Sequence, residues 1–307
     1  MRWLALLAGV AVLAGCGDKY VASSAAPAEE GWTFAQSMAQ RRSYVAAARI
    51  GRFVYAAGGM VGETGRALAT FQRFDPAANA WSGLDRLPEA VSAAAAASIR
   101  STVYVVGGQG AGRVSGARVW AYDTRRPRWR TVAPLPEPRF NHSAVALGGK
   151  LYVLGGYSAG EEHDEVYVYQ PGRDRWTRAT RLPQPMHAFG AVAFRGEIWV
   201  IGGRRGERLL RDVWILDPRT REWRSGPSLP KPMELLGAAV AGDEIHAIWE
   251  SVHQIYDAGT GRWRQGPTSL VTRHALKLFY IGGSLYTIGG CTTALHDSQV
   301  VERLRLR

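Results

Sequence analysis

Sixteen residues before each of six recurring sites, five of them a Gly-Gly pair, the chain places Arg42, Val91, Arg139, Met186, Met233 and Arg273. The next position holds Ser43, Ser92, Phe140, His187, Glu234 and His274, and the one after it Tyr44, Ala93, Asn141, Ala188, Leu235 and Ala275. Two residues past the first residue of each site stand Met60, Gln109, Tyr157, Arg204, Ser251 and Cys291. Arginine forks grip carboxylates in bidentate fashion, and tyrosines can stack on a sugar ring. Glu234 with Arg139, His187 or His274 has the makings of an acid–base pair. The candidate ligand-binding set is therefore Arg42, Tyr44, Gln109, Arg139, Asn141, Tyr157, His187, Arg204, Glu234, Arg273 and His274. No catalytic residue can be assigned, and spacing alone leaves open that these side chains merely line a wet channel. His246 is expected to be packing, and His163 and His253 loop surface. "RRGERLLRD" at 204–212 is expected to be a solvated loop from which Arg204 reaches inward.

These positions recur because the segments between them recur. "FVYAAGG" ends at Gly59, "TVYVVGG" at Gly108, "KLYVLGG" at Gly156, "EIWVIGG" at Gly203 and "SLYTIGG" at Gly290. A sixth copy, "EIHAIWE", ends at Glu250 with Trp249-Glu250 in place of the glycines. Trp81, Trp129, Trp176 and Trp223 follow the first four pairs by 21 to 23 residues, and Trp263 follows the degenerate site by 14. Short runs rich in β-branched and aromatic residues, bounded by turn residues, read as strands. Helix-length amphipathic segments, which a parallel α/β fold needs, do not separate them.

An apolar strand ending in Gly-Gly, an aromatic-Asp turn and a spaced tryptophan, repeated at this period, resemble the kelch repeat over residues 32–307. The resemblance implies an all-β fold, a six-bladed kelch-type β-propeller with four antiparallel strands per blade. The last unit stops after "VVERLRLR", without its tryptophan strand, while Trp32 precedes Met38 by six residues as Trp129 precedes Leu135. The N-terminal strand is therefore expected to close the ring and remove a sheet edge. The resemblance also implies a binding or scaffolding module for a protein or an anionic glycan. The alternative it brings is a sugar mutarotase of the N-acetylneuraminate epimerase type, also a six-bladed kelch propeller, although that family's functional residues do not map position by position. Galactose oxidase, a related propeller, needs two tyrosines and two histidines around copper with a tyrosine–cysteine link, which Cys291 as the one remaining thiol does not readily supply. No metal and no cofactor are expected.

The chain opens MRWLALLAGVAVLAGC. One charge, a short apolar core and small residues have the layout of a signal peptide, and the core is too short to span a bilayer. Leu13-Ala14-Gly15-Cys16 resembles the lipobox of bacterial lipoproteins. That implies a signal peptide over 1–15, a lipidated Cys16 opening a flexible tether over 16–31, a propeller over 32–307, and lipid anchoring in the bacterial cell envelope at a membrane the sequence does not specify. With Cys16 lipidated, Cys291 has no disulfide partner and a zinc-type cysteine cluster is excluded. Net charge is +12 and 34 of the 38 basic residues are arginine, which favours acidic surfaces or ligands. Without a basic run, and with an exported, anchored chain, nucleic acid is not an expected partner. A monomer is expected.

Overall fold

The computed structural model describes residues 31–62, 65–292 and 296–306; the leader, Cys16 and most of the tether lie outside them. Six four-stranded antiparallel sheets follow one another along the chain. The first blade runs from its inner strand Ala46–Ile50 through Phe53–Ala57 and Phe71–Asp75 to its outer strand Ala80–Gly83. The inner strands of blades two to six are Ala95–Ile99, Ser143–Leu147, Gly190–Phe194, Gly237–Ala241 and Lys277–Ile281. Blade six is completed as expected: Val301–Arg305 pairs antiparallel with Trp32–Ala35, in the register Trp32 to Leu304 and Ala35 to Val301.

The tryptophans act between blades as well as within them. Each packs on apolar and aromatic neighbours, as Trp129 does on Phe71 at a centroid distance of 4.8 Å. Five of the six outer-strand indole N–H groups also donate to a carbonyl in the preceding outer-to-inner connection. Trp81 donates to Gln36 at 2.9 Å, Trp129 to Asp85 at 2.8 Å, Trp176 to Ala133 at 2.8 Å, Trp263 to Pro227 at 2.7 Å and Trp32 to Pro267 at 2.9 Å. The indole combines a large apolar face with one donor, so one residue type both fills the seam and latches it. Trp223 makes no such bond.

The glycine pairs are required by close approach. A Cβ on Gly155 would lie 2.6 Å from the Met186 carbonyl of the next blade, and both glycines hold positive φ. At these seams the second glycine's N–H donates across: Gly59 to Val91, Gly108 to Arg139, Gly156 to Met186 and Gly203 to Met233, at 2.7 to 3.0 Å. Blade five departs from this. Trp249 pairs with Val252 across a tight turn in which Glu250 takes φ +54°. No post-glycine loop is inserted there, which accounts for the shortened repeat.

His253 corrects an expectation. It lies in a strand, 1% exposed, not on a surface loop, because the short turn draws it into the blade. His246 is packing, as expected, and its Nδ1 lies 3.0 Å from His253 Nε2. Burial, as the largest cause, pushes their pKa values down to about 4 and about 3. Both are therefore neutral in the folded protein. Their contribution to stability is complete above the unfolded histidine pKa of about 6.5 and is lost as pH falls toward 4 and below. Thermal melts should show Tm falling from pH 6.5 to pH 4, with a shallower fall in His246→Gln/His253→Gln; equal slopes would refute this role. Closure has its own test. Deleting 17–28 should leave Tm unchanged, whereas deleting 17–38 removes the closing strand and should lower Tm sharply or cause aggregation in a scattering-monitored melt.

Candidate functional site

In each blade the chain comes from the outer strand of the previous sheet, turns through one left-handed residue and enters the inner strand. Those residues are Tyr44, Ala93, Asn141, Ala188, Leu235 and Ala275, with φ between 45° and 58°. Their backbones hand hydrogen bonds from blade to blade. Ala93 N–H donates to Tyr44, Asn141 to Ala93, Ala188 to Asn141, Leu235 to Ala188 and Ala275 to Leu235, at 2.6 to 3.0 Å. No bond from Tyr44 to Ala275 completes the circle among the described residues. This ring narrows the central channel to a space of 40 Å³ bordered by Tyr44 and Asn141, room for a water or two.

Outside the ring, in every blade but the fifth, the residue before the left-handed position pairs with the residue after the glycines: Ser43 with Met60, Ser92 with Gln109, Phe140 with Tyr157, His187 with Arg204 and His274 with Cys291. The alignment therefore does bring these two sets to one mouth. Arg204 and Glu234 form a bidentate fork, Nε to Oε2 at 2.7 Å and Nη2 to Oε1 at 3.0 Å. Phe140, Tyr157 and His187 form an aromatic wall with successive centroids 5.6 and 5.2 Å apart. Gln109 is used within its own loop, donating to the Arg113 carbonyl at 3.1 Å. His274 Nε2 sits 3.0 Å from Cys291 Sγ. Burial, as the main cause, pushes the Cys291 thiol up to about 12, and the nearby Asp297 charge adds to it, so the thiol stays protonated and a poor nucleophile. Burial likewise pushes Tyr44 up to about 12, aided by Cys291 and Glu234, and lowers both His187 and His274 against the opposing pull of nearby carboxylates.

Three members of the expected set do not belong to the mouth. Arg42, Arg139 and Arg273 are each 0% exposed. Their guanidinium groups turn into their own blades and cap strand carbonyls. Arg42 Nη1 donates to Gly58 and Thr70 at 3.1 and 3.3 Å, Arg139 Nη1 to Gly155 at 2.9 Å, and Arg273 Nη1 to Gly289 and Val300 at 2.6 and 2.8 Å. The second nitrogen of each meets Gln72, Glu137 and Glu302 respectively. They join the second and third strands of a blade and are withdrawn from the ligand set. Glu234 consequently has no Arg139 beside it, and the acid–base pair drawn from those two is withdrawn as well.

Other mouth residues were not in the expected set. Glu162 Oε1 lies 3.1 Å from His187 Nδ1 and accepts the Gly206 N–H at 2.7 Å. Asp297 accepts from Ser43 Oγ at 2.6 Å and from the Gly62 N–H at 2.7 Å. Both sit on post-glycine loops whose lengths differ, so no register marks them. Phe140 stood in the aligned row and was legible there. Val114, 68% exposed, projects from the loop of blade two. Glu137, His163 and Glu165 lie close enough together to suggest a metal, but Arg139 Nη2 already engages Glu137 at 3.0 Å and His163 Nε2 is 2.6 Å from Ser158 Oγ. A cation would compete with a guanidinium there.

The fold and this mouth define a six-bladed propeller whose framework repeats while its rim does not. The family described as the KLHDC2/KLHL20/DRC7 Kelch-repeats domain matches residues 44–248, and the chain belongs to the kelch-repeat propellers. It is similar to Kelch-like protein 35 of Mus musculus, 37% identical over 81 residues, which are 26% of this chain and 14% of that protein. The chain thus matches only a small part of that relative's length.

The buried arginines differ in what they leave behind. Arg273→Met, which copies Met186 and Met233 at the equivalent position, strands the wholly buried Glu302 carboxylate. Breaking such a pair costs about 3–5 kcal/mol. Arg42→Met leaves only neutral groups without their donor, the Gln72 amide and the Gly58 and Thr70 carbonyls, a loss of about 1–3 kcal/mol for each buried acceptor left unpaired and no stranded charge. Urea unfolding should rank the two variants in that order; the opposite ranking would show that the Arg273–Glu302 pair is not what holds blade six.

Proposed function

We propose that this chain is a membrane-tethered binding module of the bacterial cell envelope whose mouth engages a protein partner. The observation that carries the reading is the aromatic wall of Phe140, Tyr157 and His187 standing beside the Arg204–Glu234 fork, with Val114 exposed on the loop of blade two, next to blade three. Aromatic and arginine side chains on a rigid rim are the residue types that dominate protein–protein contact energies. Kelch propellers are protein-binding modules, consistent with this use. An anionic glycan drew its support from the arginines now seen to be structural, so the protein ligand is the better-supported reading.

The tether fits this arrangement. The closing strand Trp32–Ala35 leads toward Tyr44 at the mouth, so the chain enters the propeller at the opposite end. A lipid on Cys16, a short stretch of chain before Trp32, would hold the mouth away from the membrane. The far end carries exposed cations on its turns, among them Arg100, Arg125, Arg126, Lys150, Arg173 and Arg175, which suits a surface of anionic headgroups.

Two experiments test the proposal. Cys16→Ser should move the protein out of the detergent phase in a Triton X-114 partition, and retention there would remove the anchor. Separately, envelope extracts passed over the immobilised protein should yield a partner whose affinity falls tenfold or more with Tyr157→Ala or Arg204→Ala at unchanged Tm. A partner indifferent to both changes would place the contact away from the mouth.

A further inference from the structure

Beneath the ring the channel widens into a cavity of 460 Å³, within the range of small-ligand sites. Eleven of its 26 lining residues are alanine, supplied by the inner strands. Among the described residues no aspartate or glutamate lines it, while Lys277 and Arg49 do. Arg49 is at the far end, where its Nε and Nη1 donate to the Gly51 and Tyr280 carbonyls at 2.7 and 2.6 Å. Lys277 is different. It borders both the cavity and the narrow space at the ring, and it has neither a hydrogen bond nor an ion pair among the described residues. Ser143, at the same position of blade three, donates its Oγ to the Phe189 carbonyl at 2.7 Å; the lysine makes no such bond. Lys277 also lies at the one seam where the backbone ring is open, between blades six and one. His142 borders the cavity as well, but a Cβ on Gly107 or Gly156 would touch it, so its ring is packed in the seam between blades two and three.

Lys277 is half-buried in the channel wall; an ammonium held there without a counter-charge is less well solvated than in bulk water, and desolvation lowers its pKa. A bound anion would supply the missing partner. We propose that the channel below the ring is a binding site for a small organic carboxylate, whose carboxylate pairs with the Lys277 ammonium and whose short apolar body lies against the alanine wall. This site is independent of the mouth and of any lipid anchor.

The probe is n-butyrate, with n-butylammonium of the same shape as the charge control. Isothermal titration of the full chain at neutral pH should give saturable binding of butyrate and none of butylammonium. Lys277→Met should weaken butyrate tenfold or more, and Lys277→Arg should retain it, since a charged hydrogen bond is being removed in one and kept in the other. Binding that does not distinguish the two probes, or that is undiminished in a folded Lys277→Met, overturns the proposal. If that variant does not fold, the wild-type protein carries the test. After reductive ¹³C-methylation, the Lys277 resonance, assigned by elimination among four lysines with Lys→Arg variants at the others, should titrate at higher pH with butyrate than with butylammonium. Equal midpoints would refute the site.

Discussion

Everything in this propeller depends on how closely one blade's backbone passes its neighbour's. At a typical seam the glycine pair lies against the carbonyl that precedes the next inner strand, leaving no room for a side chain. That contact sets the blade spacing, forces the left-handed residue that follows, and so aims the side chains on either side of it. The tryptophan latches act at the other end of the same dependence: each fastens an outer strand to the connection of the blade before it. Blade five shows what is dispensable. With Trp249-Glu250 in place of the glycines the turn shortens, a rim loop disappears and the sheet still forms, because Glu250 accepts the strained φ in place of glycine.

The framework was legible because it repeats. Glycine pairs, tryptophans and strand lengths recur at a period that marks a stack of like units, and the orphan Trp32 segment, supplying the strand the last unit lacks, identified the closing strand and with it the ring. The mouth was legible in part, since positions flanking the left-handed residue and the glycines do converge there. The three arginines were misread because an alignment gives a residue's place along the chain and not the direction of its side chain. A signal was present. The same slot holds Val91, Met186 and Met233, and a position that alternates between arginine and large apolar residues is one where a long side chain is buried. Lys277 was missed for the converse reason. It stands in a strand read as framework, and nothing local distinguishes a lysine facing the channel from one facing solvent.

The correction narrows the chemistry of the rim. With the arginines inside the blades, the polar groups set against the aromatic wall and ring are Arg204, Glu234, Glu162, His187 and Asp297, and most of these already satisfy one another. A surface of mutually paired charges and stacked rings is suited to recognition by shape and local exchange of partners more than to attracting a highly charged ligand. The arginine-rich composition is displayed at the opposite end, along the outer strands, and on the post-glycine loops at Arg66, Arg113, Arg205 and Arg208.

The backbone ring at the throat has a further property. Its five hydrogen bonds all run in the same sense around the channel, so the peptide dipoles point along the circumference and cancel along the axis. A helix terminus aimed into a channel imposes a potential of its own; this throat, built from a circle of amides, imposes almost none. The electric field that an ion meets on the channel axis is thus left to the side chains. In so neutral a collar the sign is set by the nearby cations, Lys277 at the throat and Arg49 at the far end of the cavity.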